Sequence, residues 1–279
     1  MLGRSLALMI SLTVACSDPT PASEPFTADE PAPEATRPGP PEPRELVAPS
    51  EPPPLPEARR ITFEAEDGLT LVGDLRAGAG PEAPLVVLVH QLSTTRAEWE
   101  PLLRRFAVAP AMTTFALDMR GHGESTRRGD DTVAWGDFET ADWERVAEDV
   151  RAALTHLREE VGLDPSHVIL IGSSIGSSAV IRAAANEPAV DAVVALSPGR
   201  AYRGVDALTP LAALGERPLL AIASRGEPAS AETATQMAQI AAAGDHLLVD
   251  GDRHGVGMFE SAPEILDRVV AFARVRGTP

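Results

Sequence analysis

The sequence predicts an α/β fold: a mostly parallel sheet with helices on both faces and an antiparallel hairpin on its N-terminal side. Three observations carry this. From about residue 59 onward, short apolar runs alternate with stretches of helical character, the pattern of strands buried on both faces by crossover helices. Residues 61–65 and 69–75 flank Glu66-Asp67-Gly68, which reads as two strands joined by a tight turn. Residues 168–176, Val-Ile-Leu-Ile-Gly-Ser-Ser-Ile-Gly, precede a run of small residues to Ala185, which reads as strand, sharp turn and helix.

After the hairpin the strands are expected at 85–89, 113–117, 168–171, 190–196, 219–223 and 246–249, each a short apolar run. Between the second and third, Trp143, Val146, Ala147, Val150, Leu154 and Leu157 recur at helical spacing and would form one buried face. Residues 229–242 and 262–275 read as further helices. About twenty residues separate the strands at 190–196 and 219–223, so any cap inserted there is small. Residues 130–142, with Trp135 and Phe138, are a second segment able to close over a site.

The 279 residues and 44% hydrophobic content suffice for one large domain. A formal net charge of −17, with no basic run, argues against a nucleic-acid partner and describes a solvated acidic surface.

The N-terminus has a different character. Residues 1–15 carry Arg4, an apolar run from Leu6 to Val14 and then Ala15, the layout of an export signal too short to span a bilayer as a helix. Cys16 is the single cysteine, so no intramolecular disulfide forms. Thr13-Val-Ala-Cys16 resembles the lipobox of bacterial lipoproteins, with Thr13 where leucine is commonest. The resemblance implies cleavage before Cys16 and a lipid anchor on it. Ser17 is not the aspartate-type signal for inner-membrane retention, which favours an outer membrane. Fourteen of the 26 prolines fall in residues 17–57. Such a composition cannot bury enough apolar surface to offset its ordering entropy, so residues 16–57 are expected to be a disordered tether and 58–279 the folded domain.

The chemistry-bearing motif is Gly172-Ser-Ser174-Ile-Gly176. Glycines two residues before and after a serine let a strand-to-helix turn close and leave the hydroxyl at its tip, the context of a nucleophile elbow. A helix cap is the plainer reading of a serine in that place. Ser173 would point back along the turn, and Ser177 would already lie inside the helix.

Here a resemblance becomes specific. The domain resembles the α/β-hydrolase family from the hairpin to the last helix. Val86-Val-Leu-Val-His90-Gln-Leu92 is similar to the family's strand ending in His-Gly-x. Leu117-Asp-Met-Arg-Gly-His-Gly-Glu-Ser125 is similar to its Asp-x-Arg-Gly-x-Gly-x-Ser turn, and 168–176 to its elbow. Leu196-Ser-Pro-Gly199 and Tyr202-Arg-Gly204 also recur in uncharacterised members.

The resemblance implies a triad in chain order serine, acid, histidine. Ser174 is then the nucleophile. Glu227, in Gly226-Glu-Pro228 after the strand at 219–223, stands where the family most often has aspartate; Asp206 and Asp252 are the rival acids. His254, in Gly251-Asp-Arg-His-Gly255, matches the catalytic-histidine loop. The oxyanion hole would use the backbone N–H groups of Leu92 and Ile175, with Gln91 replacing the usual glycine and narrowing the entrance. His90 and His122 are expected to be structural.

Gly121-His-Gly123 lacks the third glycine of a dinucleotide loop, and no P-loop lysine occurs. Asp250-Gly-Asp-Arg-His-Gly255 has Ser261 where a calcium loop needs glutamate, and no His or Cys pair has zinc spacing. The expectation is a cofactor-free, carboxylesterase-like serine hydrolase with no metal, acting on small-molecule esters or related acyl bonds. Thioesterase, lactonase and peptidase chemistry would use the same residues. The alternative is a non-catalytic, lipid-anchored binding module on the same fold.

Overall fold

The computed structural model describes residues 54–107 and 112–276. The expected export signal, Cys16 and all of the expected tether except residues 54–57 lie outside the described residues.

Strands β1 (Arg59–Glu64) and β2 (Leu69–Arg76) form the hairpin. Gly68 takes φ +74 at its turn and donates to Ala65 O at 2.9 Å. Strand β3 (Leu85–Val89) leads through a 3₁₀ turn at Arg96–Trp99 into helix α1 (Glu100–Ala107), and β4 (Thr113–Leu117) follows. The two-residue strands β5 (Arg127–Arg128) and β6 (Asp131–Thr132) precede α2 (Thr140–Glu159). Then come β7 (Val168–Ser173), α3 (Ile175–Ala185) and β8 (Ala192–Leu196). A small hairpin of β9 (Ala201–Tyr202) and β10 (Val205–Asp206), with a 3₁₀ helix at Thr209–Leu214, fills the gap to β11 (Leu219–Ser224). The chain ends with α4 (Pro228–Ile240), β12 (Gly244–Val249), α5 (Met258–Ser261) and α6 (Glu264–Arg276).

Among the described residues one ten-stranded sheet runs β12-β11-β8-β7-β3-β4-β2-β5-β6, with β1 also on β2. Strands β3, β4, β7, β8, β11 and β12 are parallel, and the antiparallel strands gather at one edge. The order reverses around β3, which has β4 on one side and β7 on the other. Open α/β sheets bind ligands at such a switch point, beyond the carboxyl ends of the strands.

The sheet is covered on both faces. Trp143, Val146, Val150, Leu154 and Leu157 of α2 pack with α3, α4 and alternate strand residues such as Val87 and Val89. Leu102, Leu103 and Phe106 of α1 pack with α6 and the opposite strand residues, Val86 and Leu88 among them; Leu55 lies against this second core. Each large apolar side chain fully buried in this way contributes roughly 1.5–3 kcal/mol.

The expected helix over 262–275 is α6, which opens just after Pro263. Two elements differ from the reading of the sequence. Helix α1 has only eight residues, too short for an unmistakable period. Strand β12 starts at Gly244, where the residues are half-buried or exposed and leave no apolar run to read.

Candidate active site

Ser174 lies between β7 and α3 with φ 53 and ψ −120, a backbone state in which a non-glycine residue is strained. The surrounding backbone leaves no alternative. A Cβ on Gly172 would strike the carbonyl of Gly176, and one on Gly176 would strike the carbonyls of Val89 and His90. Ser174 stands at the N-cap of α3, yet its side chain makes no capping hydrogen bond. It is therefore not a capping serine. Its hydroxyl is free for other work at the positive end of the helix dipole.

His254 and Glu227 come from the loops after β12 and β11. His254 Nδ1 is 2.6 Å from Glu227 Oε1. The other carboxylate oxygen accepts from Ser197 Oγ at 3.0 Å, and Ser197 Oγ accepts from the Gly255 amide at 2.8 Å. One serine thus ties the acid to the histidine loop. The rival acids are engaged elsewhere or exposed. Asp206 accepts from Leu208 N at 2.9 Å and Thr209 N, and the Thr209 hydroxyl holds its carboxyl below the usual range. Asp252 is exposed on the surface.

Tyr202, on the small hairpin, borders the histidine side of this constellation. Its ring meets the His254 imidazole edge-on, with centroids 6.2 Å apart. Its hydroxyl lies 3.1 Å from Ser230 Oγ and donates to the Ser197 carbonyl at 3.3 Å. Burial, aided by the Glu227 charge, holds the phenol above its ordinary value. Ser197 and Tyr202 lie in the two segments the sequence marked only as recurrent in relatives, and no local pattern announced their contacts.

The turn after β3 carries Leu92. Gln91 N donates to Glu98 Oε1 at 2.9 Å, and Thr94 Oγ1 donates to Glu98 Oε2 at 2.6 Å. Burial pushes the Glu98 carboxyl up to about 7. His90 is fully buried. Its Nδ1 donates to Gln91 O at 2.7 Å and its Nε2 accepts from Met119 N at 3.0 Å. Burial lowers it to about 4, so the ring is a neutral strut. His122 holds the same turn through Ser93 N (3.4 Å) and stacks on Trp135 at 5.4 Å. Phe138 meets Trp143 edge-on, so the 130–142 segment packs beside this turn. Both histidines have structural partners.

Gln91 does not lie across an entrance as expected. Its side chain turns inward, accepting from Ser173 Oγ at 3.0 Å and occupying the place a Cβ on Gly255 would need. Ser173 is committed to that contact. Ile175 opens α3 and Leu92 lies beyond β3, so their amides come from the two strand ends that flank the switch point. Among the described residues, no three His, Cys, Asp or Glu side chains converge to hold a metal ion.

Comparison with known proteins decides the family. A sequence model of the alpha/beta hydrolase fold matches residues 84–235, more than half of the chain. The chain belongs to the α/β-hydrolase fold family. An uncharacterized protein of Salmonella typhimurium, YfhR, is 28% identical to this hydrolase-fold chain over 132 residues, which are 46% of this chain and 40% of that protein. The alignment thus spans well under half of the curated relative. The esterase Pf2001 of Pyrococcus furiosus is 17% identical with a TM-score of 0.63, covering 80% of this chain and 91% of its own. The dienelactone hydrolase of Anabaena variabilis is 17% identical with a TM-score of 0.64, covering 80% and 97%. At these identities the likeness is one of fold.

Proposed function

We propose that this α/β-hydrolase is a serine hydrolase that cleaves small-molecule carboxylic esters or related acyl bonds. Two observations support the reading: an uncapped, strained serine at a helix N-terminus, and a histidine whose Nδ1 lies 2.6 Å from a carboxylate in the neighbouring loop. Fold alone would not license the reading, since one fold hosts many chemistries.

In this scheme His254 Nε2 takes the Ser174 proton as Oγ attacks the acyl carbon. Glu227 holds the Nδ1–H tautomer and stabilises the imidazolium. The carbonyl oxygen, now negative, is held by the Leu92 and Ile175 amides. Collapse of the tetrahedral intermediate breaks the bond to the leaving group, which receives the proton from His254. Water then attacks the acyl-Ser174 ester by the same path, releasing the acid and restoring the serine. The chain is read as exported and held at a bacterial envelope membrane through a lipid on Cys16, with residues 17–57 as spacer and 58–279 as the catalytic domain.

The test is labelling with a fluorophosphonate together with a panel of small esters. The wild-type chain labels on Ser174 and turns over at least one ester class, and Ser174→Ala abolishes both while retaining its melting temperature. A folded wild-type chain that neither labels nor hydrolyses any ester supports the binding-module alternative and refutes the enzyme reading.

A further inference from the structure

Tyr202 stands on the small hairpin between β8 and β11, against the His254 ring. Its hydroxyl is oriented by two fixed partners, Ser230 Oγ on α4 at 3.1 Å and the Ser197 carbonyl at 3.3 Å. Its ring meets the His254 imidazole edge-on, with centroids 6.2 Å apart. The ring itself is seated closely, since a Cβ on Gly199 would collide with it. The amides of Leu92 and Ile175 serve the carbonyl oxygen from the ends of β3 and β7, whereas Tyr202 approaches from the cap hairpin, on the histidine side.

We propose that the Tyr202 hydroxyl is a specificity-determining donor to the leaving-group oxygen, favouring esters of poorly acidic alcohols. The proposal rests on Ser174 and His254 acting as above. When the C–O bond of the tetrahedral intermediate breaks, electron density moves onto the leaving oxygen and His254 supplies its proton. An alkoxide-like oxygen accumulates the most charge and gains the most from a neighbouring O–H. A nitrophenolate delocalises its charge and gains little. Burial and the Glu227 charge keep the phenol protonated through neutral pH, as a donor must be. The proton of Tyr202 is not transferred: with Ser230 Oγ donating to the phenol oxygen, the hydroxyl turns its single proton from the 3.3 Å bond to the Ser197 carbonyl onto the leaving oxygen, and the proton balance stays with His254.

The experiment compares Tyr202→Phe with wild type on esters of one acyl group whose leaving groups run from nitrophenol through phenol to simple alkyl alcohols, reading kcat/KM. The expected result is a loss that grows along the series, within about twofold for the nitrophenyl ester and about tenfold for the alkyl ester, as one hydrogen bond in the transition state implies. Ser230→Ala, which loosens the hydroxyl and leaves the ring in place, should show the same trend in weaker form. A uniform loss across the series, or none, overturns the leaving-group role and leaves Tyr202 as a packing residue while Ser174 still labels. A wild-type chain that hydrolyses none of the series and does not label overturns the underlying reading together with it.

Discussion

His254 Nδ1 and Glu227 Oε1 lie 2.6 Å apart although 27 residues separate them in the chain. The contact exists because β11 and β12 are adjacent parallel strands, so the loops leaving their carboxyl ends meet. If this carboxylate sets the imidazole tautomer, Glu227→Gln should lower kcat by about 10³–10⁴-fold with the fold intact. Glu227→Asp should retain part of the activity. Steady-state kinetics and a thermal melt of both variants check this; undiminished turnover in the Gln variant would move the role to another carboxylate.

The Arg120 guanidinium makes two 2.6 Å contacts to Asp149 in the interior, where both side chains are nearly inaccessible. Removing one member strands the other. Arg120→Met should therefore cost roughly 3–5 kcal/mol of stability, while the double replacement Arg120→Met with Asp149→Leu should recover most of it. Urea unfolding of the two variants reads the difference. Equal losses in both would show that the charge left behind is not what destabilises.

Glu98 and His90 make the stability of the Leu92 turn depend on pH in opposite senses. Glu98 titrates near 7 in the fold against an ordinary 4.5, so the fold favours its protonated form and loses stability as pH rises from 4.5 through 7. His90 titrates near 4 against 6.5, so the fold favours its neutral form and loses stability as pH falls from 6.5 through 4. The stability of Glu98→Gln relative to wild type should thus climb across pH 4.5–7, by at most roughly 3 kcal/mol. The deficit of His90→Gln should shrink as pH falls from 6.5 to 4. Melts across pH 4–8 measure both; pH-independent differences would contradict the buried environments assigned to these groups.

At the N-terminus, the lipobox-like segment leads to the expectation that the mature chain begins at an acylated Cys16. Mass spectrometry of the membrane fraction should find the lipid and no residue before Cys16. Cys16→Ser should block processing or release the chain while leaving ester turnover per molecule unchanged. An unmodified Cys16 thiol in a soluble mature chain contradicts the anchor.

By itself the sequence determined the features governed by neighbours along the chain. The strands at 85–89 and 113–117 were legible because every residue in them is buried and all but Thr113 and Thr114 are apolar. The serine turn was legible because glycines stand at 172 and 176; the demand at 172 is local, a clash with Gly176, whereas that at 176 comes from the carbonyls of Val89 and His90 on β3 and its turn. Tertiary structure alone decided which of three carboxylates meets His254, since Glu227, Asp206 and Asp252 all sit in plausible loops. It also decided that Ser197 joins Glu227 to Gly255, that the Tyr202 hydroxyl meets Ser230, and that Gln91 turns toward Ser173. These contacts link residues 28 to 82 positions apart. They follow from the order of strands in the sheet and the direction in which each loop leaves it, and no pattern of neighbouring residues encodes either.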